Sequence, residues 1–318
     1  MRIAIMGSGG VGGYYGGLLT LVGHDVAFIA RGAHLAAMQA NGLRIHSVYG
    51  DFTLQSVQAT DRPADIETVE LVLMCVKTPD TTNAAQQILP LIGPDTVVLS
   101  LQNGVEAPDQ IGAIVGMSHV VGGATWISSS IEAPGVIRQV SQFRRIVLGE
   151  LDGRITPRVE RIREVLSSTG ATVELSRDIQ KVMWTKFVFI AAISGIGALT
   201  RLELGKYRHV PETRAMLTAL MREVEAVARA AGVALDPYVV EQSLAFIDKA
   251  AAHIKPSMQL DVEAGRRSEL DSMIGVIGRR GRALGVPTPV ADLVYAALLP
   301  VEQAACCRER GTPNGDDL

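Results

Sequence analysis

The chain has 318 residues, and because a single core stops growing near ~250–300 residues, this length favours two domains. Hydrophobic residues make up 47% of the chain and charged residues 20%, a composition that indicates a packed globular protein and excludes a disordered one. The net charge of -3 argues against binding to nucleic acid or to an anionic membrane surface. The 3 cysteines lack the spacing of a zinc site or a disulfide framework, so we expect no metal.

The sequence contains no signal-peptide pattern, since the first strand begins at Arg2. Its longest apolar stretch, residues 187–199, is too short to span a bilayer core of ~30 Å. We therefore expect a cytoplasmic protein without a membrane segment.

The first half of the chain alternates short apolar strands with helices. The pattern predicts strands over residues 2–6, 24–30, 71–76, 96–101, 119–124 and about 172–175, and helices over 12–22, 80–91, 106–114 and 156–168. Such alternation indicates βαβ units and a parallel sheet covered on both faces. The segment 135–148 is expected to add strand pairing at the edge of this sheet.

The second half has a different periodicity. Apolar residues recur with the helical period over 178–199, 211–231, 237–249, 268–284 and 289–308, with glycine and proline between these segments. This half is predicted to be all-α, and the domain boundary is expected near residue 176.

A glycine-rich motif directly follows the first strand and opens the first helix. Its sequence is Gly7-Ser8-Gly9-Gly10-Val11-Gly12, which has the form GxGxxG. Gly7 permits a tight turn, Gly9 lets the backbone approach a pyrophosphate, and Gly12 lets the helix pack closely on the strand. The N–H groups and dipole of the helix then attract phosphate. An ordinary glycine-rich turn is disfavoured, because strands lie before and after the motif at the expected distances.

These features predict the fold class as an α/β Rossmann domain, a doubly wound parallel sheet over residues 1–176, followed by an all-α C-terminal domain over 177–318. Sites that prefer NAD carry an acidic residue at the end of the second strand. Here that strand ends at Ala30 and is followed by Arg31, whose guanidinium suits the 2′-phosphate of NADP(H). The alternative is an arginine that merely lies on the surface.

Several motifs together resemble the ketopantoate reductase (2-dehydropantoate 2-reductase) family. They are the glycine motif, Arg31-Gly32, Val76-Lys77-Thr78, Leu101-Gln102-Asn103-Gly104, Trp184-Thr185-Lys186-Phe187, Ser257-Met258-Gln259-Leu260-Asp261 and the segment from Gly265 to Asp271. The resemblance covers nearly the whole chain in order and spacing. It implies reduction of 2-dehydropantoate (ketopantoate) to pantoate by NADPH, in the biosynthesis of pantothenate and coenzyme A.

The resemblance also implies roles for individual residues. Lys186 would be the general acid that protonates the substrate carbonyl, and Glu269 would hydrogen-bond the reacting hydroxyl or the nicotinamide end of the cofactor. Asn103 would lie beside both substrate and cofactor, and Lys77 near the cofactor phosphates. Ser257 and Ser194 would bind the substrate.

The residues around Lys186 and Glu269 support these roles without the family. The apolar neighbours of Lys186 predict burial, which lowers a lysine pKa toward neutrality, although a lysine that extends its ammonium to solvent is the alternative. Ser268 and Asp271 have the spacing of a capping box, which would place Glu269 in the first turn of a helix. Ser257 equally suits a helix N-cap.

The chain departs from the family at three positions. Ile190, Ser194 and Leu204 stand where the family commonly carries asparagines that contact the substrate. A different 2-oxo acid is therefore an alternative substrate, and a non-catalytic NADP(H) sensor is a further alternative function. We also expect a catalytic cleft between the domains. The apolar residues 291–305 suit either the core or the face of a possible homodimer.

Overall fold

The computed structural model describes residues 1–310, and the chain divides into two compact units, Met1–Val182 and the part from Met183 onward. The strands of the first unit are β1 (Arg2–Met6), β2 (Asp25–Ile29), β3 (Leu43–Ser47), β4 (Phe52–Leu54), β5 (Gln58–Thr60), β6 (Val69–Met74), β7 (Ile92–Ser100), β8 (Val120–Trp126), β9 (Ser129–Ala133), β10 (Val136–Gln139), β11 (Arg145–Gly149) and β12 (Thr172–Leu175). Its α-helices are α1 (Gly10–Leu21), α2 (Gly32–Asn41), α3 (Thr81–Gln87), α4 (Ala107–Val115) and α5 (Pro157–Ser167).

The main sheet of this unit has eight strands in the order β12-β11-β8-β7-β6-β1-β2-β5. Neighbours from β8 to β5 run parallel, and β11 runs antiparallel to β8. Successive residues of β1 alternate between two cores: Ile3 and Ile5 point into one, and Ala4 and Met6 into the other. Both faces are therefore covered, as a parallel sheet requires. This architecture confirms the predicted fold class.

A second sheet corrects the prediction for residues 135–148. β10 joins a four-stranded sheet in the order β4-β3-β10-β9, and β11 lies inside the main sheet instead of at its edge. Both sheets pack closely on α1, where a glycine faces each of them. A methyl group at Gly13 would lie 2.8 Å from Ile137 of β10, and one at Gly16 would lie 2.6 Å from Phe28 of β2. Because these glycines have no side chains, both sheets can approach the backbone of α1 closely.

The second unit is helical, as its periodicity predicts. Its helices are α6 (Ile179–Thr200), which contains the point of division, α7 (Leu204–Tyr207), α8 (Pro211–Ala230), α9 (Val239–Lys249), α10 (Ser257–Glu263), α11 (Val276–Leu284) and α12 (Pro289–Arg310). The predicted helix over 268–284 begins later than expected, with a π-helical turn at Asp271–Gly275. Gly275 lies directly under Tyr295, since a methyl group there would be 2.8 Å from the ring.

Two helices are long and apolar enough to cross a membrane by length and composition alone. They are α6, with 67% of its most apolar window buried, and Pro289–Glu309, with 22% buried. The apolar stretch 187–199 is itself shorter than this, but α6 extends beyond it at both ends, so the helix that contains it reaches this length. Its burial is that of a core helix, and core helices of soluble proteins meet the same criterion.

Candidate active site

The predicted cofactor-binding residues of the first unit lie at one edge of the main sheet. β2, β1, β6 and β7 are adjacent and parallel, so their carboxyl ends meet at the same edge. The glycine motif follows β1, Arg31 follows β2, Lys77 follows β6 and Asn103 follows β7. Open parallel sheets bind their ligands at this edge, beyond the carboxyl ends of the strands. The topology therefore brings together the four segments that the sequence singles out.

The glycines at the ends of the motif have the geometry that a dinucleotide-binding turn requires. Gly7 has a φ of 97°, a value that residues with a side chain rarely adopt. A methyl group at Gly12 would lie 2.2 Å from the carbonyl oxygen of Gly7. At Gly9, by contrast, nothing lies within 4 Å of the place where a Cβ would be. The backbone is thus closed on the protein side and open at Gly9, as a cradle for a pyrophosphate would be.

Ser8 and Gly10 hold the loop in place. The N–H and hydroxyl of Ser8 both donate to the carbonyl oxygen of Ile29, over 3.1 and 3.0 Å, and the side chain is buried. Gly10 packs on β9, since a methyl group there would be 2.3 Å from the carbonyl oxygen of Ser129. In this geometry the Ser8 hydroxyl donates to the protein itself, and its role as a cofactor ligand stays a prediction. The N–H groups of the first turn of α1, including that of Val11, have no acceptor within the helix and are therefore available to a phosphate.

His34 of α2 contacts this loop and is a residue that the sequence does not single out. Its Nε2 donates to the carbonyl oxygen of Ser8 over 2.9 Å, and its Nδ1 accepts from the N–H of Gly135 over 3.0 Å. These two bonds require the neutral ring, and burial lowers the pKa of His34 accordingly. The histidine therefore links the glycine loop to the β9–β10 turn. No local pattern signals this, because Gly135 lies far away in sequence.

The cation after β2 has a partner. The guanidinium of Arg31 lies 3.1 Å from a carboxylate oxygen of Asp80, and the arginine side chain is 72% exposed. Lys77, also exposed, precedes the short 3-10 helix that ends at Asp80. An ion pair this exposed contributes about 0–1 kcal/mol, so exchanging Asp80 for a phosphate group would cost little.

Gln102 fixes the segment that contains Asn103. Its side-chain nitrogen donates to the carbonyl oxygen of Val76 over 2.9 Å and to the hydroxyl of Thr81 over 2.7 Å. Its oxygen accepts from the hydroxyl of Ser100 over 2.9 Å. The buried amide thus ties the loop after β7 to the loop after β6. Asn103 follows as a half-buried residue at this edge.

In the helical unit, Lys186 lies half-buried on α6 among apolar residues. The rings of Trp184 and Phe187 meet edge to face with centroids 5.7 Å apart. Burial lowers the pKa of Lys186 from 10.5 to about 8, and the negative charge of Glu269 opposes this shift. An ammonium in bulk solvent would keep its ordinary pKa. The negative charge of Glu269 therefore acts on Lys186, in surroundings that ease loss of the lysine proton.

The segment around Glu269 differs from the predicted capping box. The hydroxyl of Ser268 accepts from the N–H of Leu270 over 3.2 Å, but Asp271 does not bind the N–H of Ser268. That N–H donates instead to both carboxylate oxygens of Glu302, over 3.0 and 3.1 Å. Glu269 consequently precedes the helical turn, where its side chain is 8% exposed. Glu302 is a further residue that local spacing could not reveal.

The predicted substrate-binding residues have different surroundings. Ser194 is buried two turns after Lys186 on α6, and Ile190 lies half-buried between them. Ser257 is exposed as the first residue of α10, where it makes no capping bond, so its predicted N-cap role is wrong. Leu204 is fully buried in α7. Of these positions, only Ile190 and Ser194 share a helix with the lysine.

Gln259 is fully buried against α6 and was not singled out by the sequence. Its side-chain nitrogen donates to the carbonyl oxygen of Leu202 over 2.9 Å and to the carboxylate of Glu263 over 2.7 Å. Among the described residues, its oxygen is one of two buried side-chain polar atoms without a hydrogen bond. A methyl group at Gly197 would lie 2.3 Å from that oxygen. Gly197 therefore makes the room that this amide occupies.

We expect Gly197→Ala to destabilise the protein by about 1–2 kcal/mol. Overpacking costs ~1–3 kcal/mol and exceeds the gain of up to ~1 kcal/mol from replacing a helical glycine, because two hydrogen bonds prevent Gln259 from moving. In a thermal melt this lowers Tm by about 2–8 °C. Adding Gln259→Ala should remove most of the loss; an equal loss in that background would contradict the steric cause.

The chain is similar to known proteins over nearly its whole length. Residues 3–153 match the family model of ketopantoate reductase PanE/ApbA, and residues 178–302 match the model of its C-terminal domain. A 2-dehydropantoate 2-reductase of Mesorhizobium japonicum is 32% identical, covering 93% of this chain and 96% of the relative. The uncharacterized oxidoreductase YkpB of Bacillus subtilis is 31% identical, with coverages of 94% and 98%. The crystal structure of a PanE/ApbA family ketopantoate reductase from Ralstonia eutropha is similar with a TM-score of 0.89 at 32% identity, covering 96% of this chain and 100% of that one.

Proposed function

Because the chain belongs to the ketopantoate reductase family, and is thus an NAD(P)-dependent oxidoreductase of small oxo acids, we propose that it reduces 2-dehydropantoate to pantoate with NADPH. This reaction would serve the biosynthesis of pantothenate and coenzyme A. The observation that carries the proposal is the pairing of Lys186, with its lowered pKa, and the buried Glu269. A carbonyl reduction needs such a proton donor.

The proposed chemistry assigns one proton to this chain. NADPH, when bound, supplies the hydride that adds to the carbonyl carbon of the substrate. Lys186 transfers a proton from Nζ to the carbonyl oxygen, which becomes the hydroxyl of the product, and the lysine is left neutral. A general acid works best with a pKa near the working pH, and burial brings that of Lys186 to about 8. Glu269 keeps the ammonium protonated until the carbonyl accepts the proton.

The remaining predicted residues bind and orient. The first-turn N–H groups of α1 and the open face at Gly9 fit a pyrophosphate. Asn103 is proposed to hydrogen-bond the substrate and the nicotinamide ribose, and Lys77 to attract the cofactor phosphates. Ser194 and Ser257 are proposed to bind the polar groups of the substrate.

NADPH is proposed over NADH because of Arg31. Its exposed guanidinium follows β2, where enzymes that prefer NADH carry a carboxylate. A guanidinium can grip a phosphate with two parallel hydrogen bonds. Asp80 belongs to a different loop and is already paired with the arginine.

A second candidate substrate is a 2-oxo acid with a more apolar side chain. Ile190 replaces an expected polar contact one turn after Lys186, and Leu204 is fully buried. A site that recognises a hydroxyl through hydrogen bonds loses discrimination when those groups are missing. The same proton donor would serve this reaction unchanged. A non-catalytic NADP(H) sensor is the least favoured alternative, because sensing has no use for the pairing of Lys186 with Glu269.

The test follows oxidation of NADPH at 340 nm with 2-dehydropantoate and a panel of aliphatic and aromatic 2-oxo acids. Rapid turnover of 2-dehydropantoate supports the first proposal. Turnover of only another acid selects the second substrate class. Tight NADPH binding without turnover of any acid would contradict both and leave the sensor.

We expect kcat/KM for reduction to fall above about pH 8. Only the protonated lysine can donate, so the rate should drop about tenfold per pH unit once the pH exceeds the pKa of Lys186. In Glu269→Gln the fall of kcat/KM should begin at lower pH, because the carboxylate that raises the lysine pKa is gone. A flat profile from pH 7 to 10 in the parent enzyme would rule out Lys186 as the acid.

Two further predictions accompany this function. We propose that the protein acts in the cytoplasm. Its crystallised relatives are consistent with this location.

The possible homodimer also stays a prediction. Leu293, 61% exposed on α12, is one apolar residue of the expected face. Light scattering of the purified protein would decide the oligomeric state.

A further inference from the structure

The segment that carries Glu269 is held by a carboxylate from another helix. Glu302 on α12 accepts the N–H of Ser268 with both of its oxygens, and one of them also accepts the Ser268 hydroxyl over 2.5 Å. Ser268 is 1% exposed, and its hydroxyl in turn accepts from the N–H of Leu270. A charged acceptor that binds two donors of one residue fixes both the position and the orientation of that residue.

Glu269 is therefore anchored on both sides. Its own carbonyl oxygen accepts from the N–H of Met273 over 2.9 Å and from the hydroxyl of Ser272 over 3.1 Å. On the other side, the peptide that joins it to Ser268 follows directly on the residue that Glu302 holds. The rotation of this backbone decides where the Glu269 carboxylate points. Of these anchors, only Glu302 comes from outside the segment 268–273.

Resting on the proposed function, we propose that Glu302 is a positioning residue for the reduction: by binding the N–H and hydroxyl of Ser268, it holds the Glu269 carboxylate where it acts on the Lys186 ammonium. Glu302 touches neither the substrate nor the lysine in this scheme. Glu302 acts on Glu269 through the peptide unit that joins Ser268 to Glu269. Nothing in the family resemblance assigns a role to this position.

The charged groups nearby have other identified contacts. Asp271 is bound by Arg279 and by the hydroxyl of Tyr295, and the guanidinium of Arg280 lies over the Trp184 ring at 5.6 Å. On α12, the thiol of Cys306 lies 3.9 Å from Glu302. Within residues 1–310, the negative charge of Glu269 opposes the lowering of the Lys186 pKa by burial. Displacing its carboxylate should therefore move the lysine titration downward.

Glu302→Ala is expected to move the alkaline fall of kcat/KM to lower pH by about 0.5–1 unit, since nearby opposite charges shift a pKa by roughly this much or more. The pH shift of kcat/KM in Glu269→Gln, which removes the carboxylate itself, is the largest that we expect from displacing this carboxylate. Glu302→Gln keeps one acceptor for Ser268 and should shift the fall of kcat/KM less. Gln303→Ala, an exposed neighbour on the same helix, should leave the profile unchanged.

A second measurement does not depend on turnover. The rate at which acetic anhydride acetylates Lys186, followed by mass spectrometry from pH 6 to 11, reports the lysine pKa directly. Glu302→Ala should lower that pKa as Glu269→Gln does. If Glu302→Ala does not fold, Ser268→Ala removes one of the same bonds and should give a smaller shift in the same direction.

The outcomes separate this proposal from the proposed function. A lysine pKa that is lower in Glu269→Gln but unchanged in folded Glu302→Ala overturns the role of Glu302. An unchanged pKa in both variants overturns it as well, because Glu269 then does not act on the lysine. Absence of turnover in the parent enzyme contradicts the reductase, while the labelling still tests the positioning.

Discussion

Replacing Lys186 with alanine will lower kcat for reduction of the 2-oxo acid by about 10²–10⁴-fold, the range of a general acid. Without the ammonium, the carbonyl oxygen must take its proton from water, in a site whose apolar neighbours include Trp184 and Phe187. Affinity for NADPH should change little, because the proposed phosphate contacts lie at the glycine motif, Arg31 and Lys77. Initial rates at pH 7 give kcat, and fluorescence titration gives the NADPH Kd.

Two variants make this result specific. Lys186→Arg keeps a positive charge but not a usable proton, since a guanidinium stays protonated far above the pH of the assay. It should be nearly as slow as the alanine variant if proton transfer matters, and much faster if charge alone suffices. Lys206→Ala changes an exposed lysine on α7 and should match the parent enzyme. A Lys186→Ala enzyme within threefold of the parent would remove the lysine from the mechanism.

The sequence predicts those features that depend on neighbouring residues, such as hydrophobic periodicity and glycine spacing. Strand, turn and helix follow one another within residues 2–21, so periodicity and three glycines suffice to predict the cofactor loop. The helical half is predicted for the same reason. The second sheet is not, because β3 pairs with β10 across most of the unit and neither strand carries a strong pattern. Its close packing on α1 uses Gly13, which lies beyond the phosphate motif and which no local pattern connects with a distant strand.

The candidate site divides in the same way. Lys186 and Glu269 could be singled out by resemblance and by the apolar surroundings of the lysine. His34, Gln102 and Glu302 could not, because each acts on a backbone group far away in sequence: the carbonyls of Ser8 and Val76, and the N–H of Ser268. Backbone groups look the same at every position, so a sequence does not show which of them a distant side chain will bind.

Replacing Arg31 with alanine will raise the KM for NADPH about 10–100-fold and leave the KM for NADH within threefold. Hydrogen bonds to a charged group contribute ~1.5–3 kcal/mol, and the 2′-phosphate is the only group by which the two cofactors differ. Breaking the ion pair of Arg31 with Asp80 reduces this contribution by only ~0–1 kcal/mol, because the pair is exposed. The measurement is the ratio of kcat/KM for NADPH to that for NADH in parent and variant.

Asp80 and Lys77 provide the controls. Asp80→Asn removes the carboxylate that competes for the guanidinium, so it should leave NADPH binding as tight as in the parent enzyme or tighten it up to about fivefold, the upper limit for an exposed pair. Lys77→Ala should weaken both cofactors alike if that lysine attracts the pyrophosphate, and NADPH alone if it binds the 2′-phosphate. An Arg31→Ala enzyme that loses both cofactors equally would show that the arginine holds the loop through Asp80, and preference for NADPH would then have to come from Lys77.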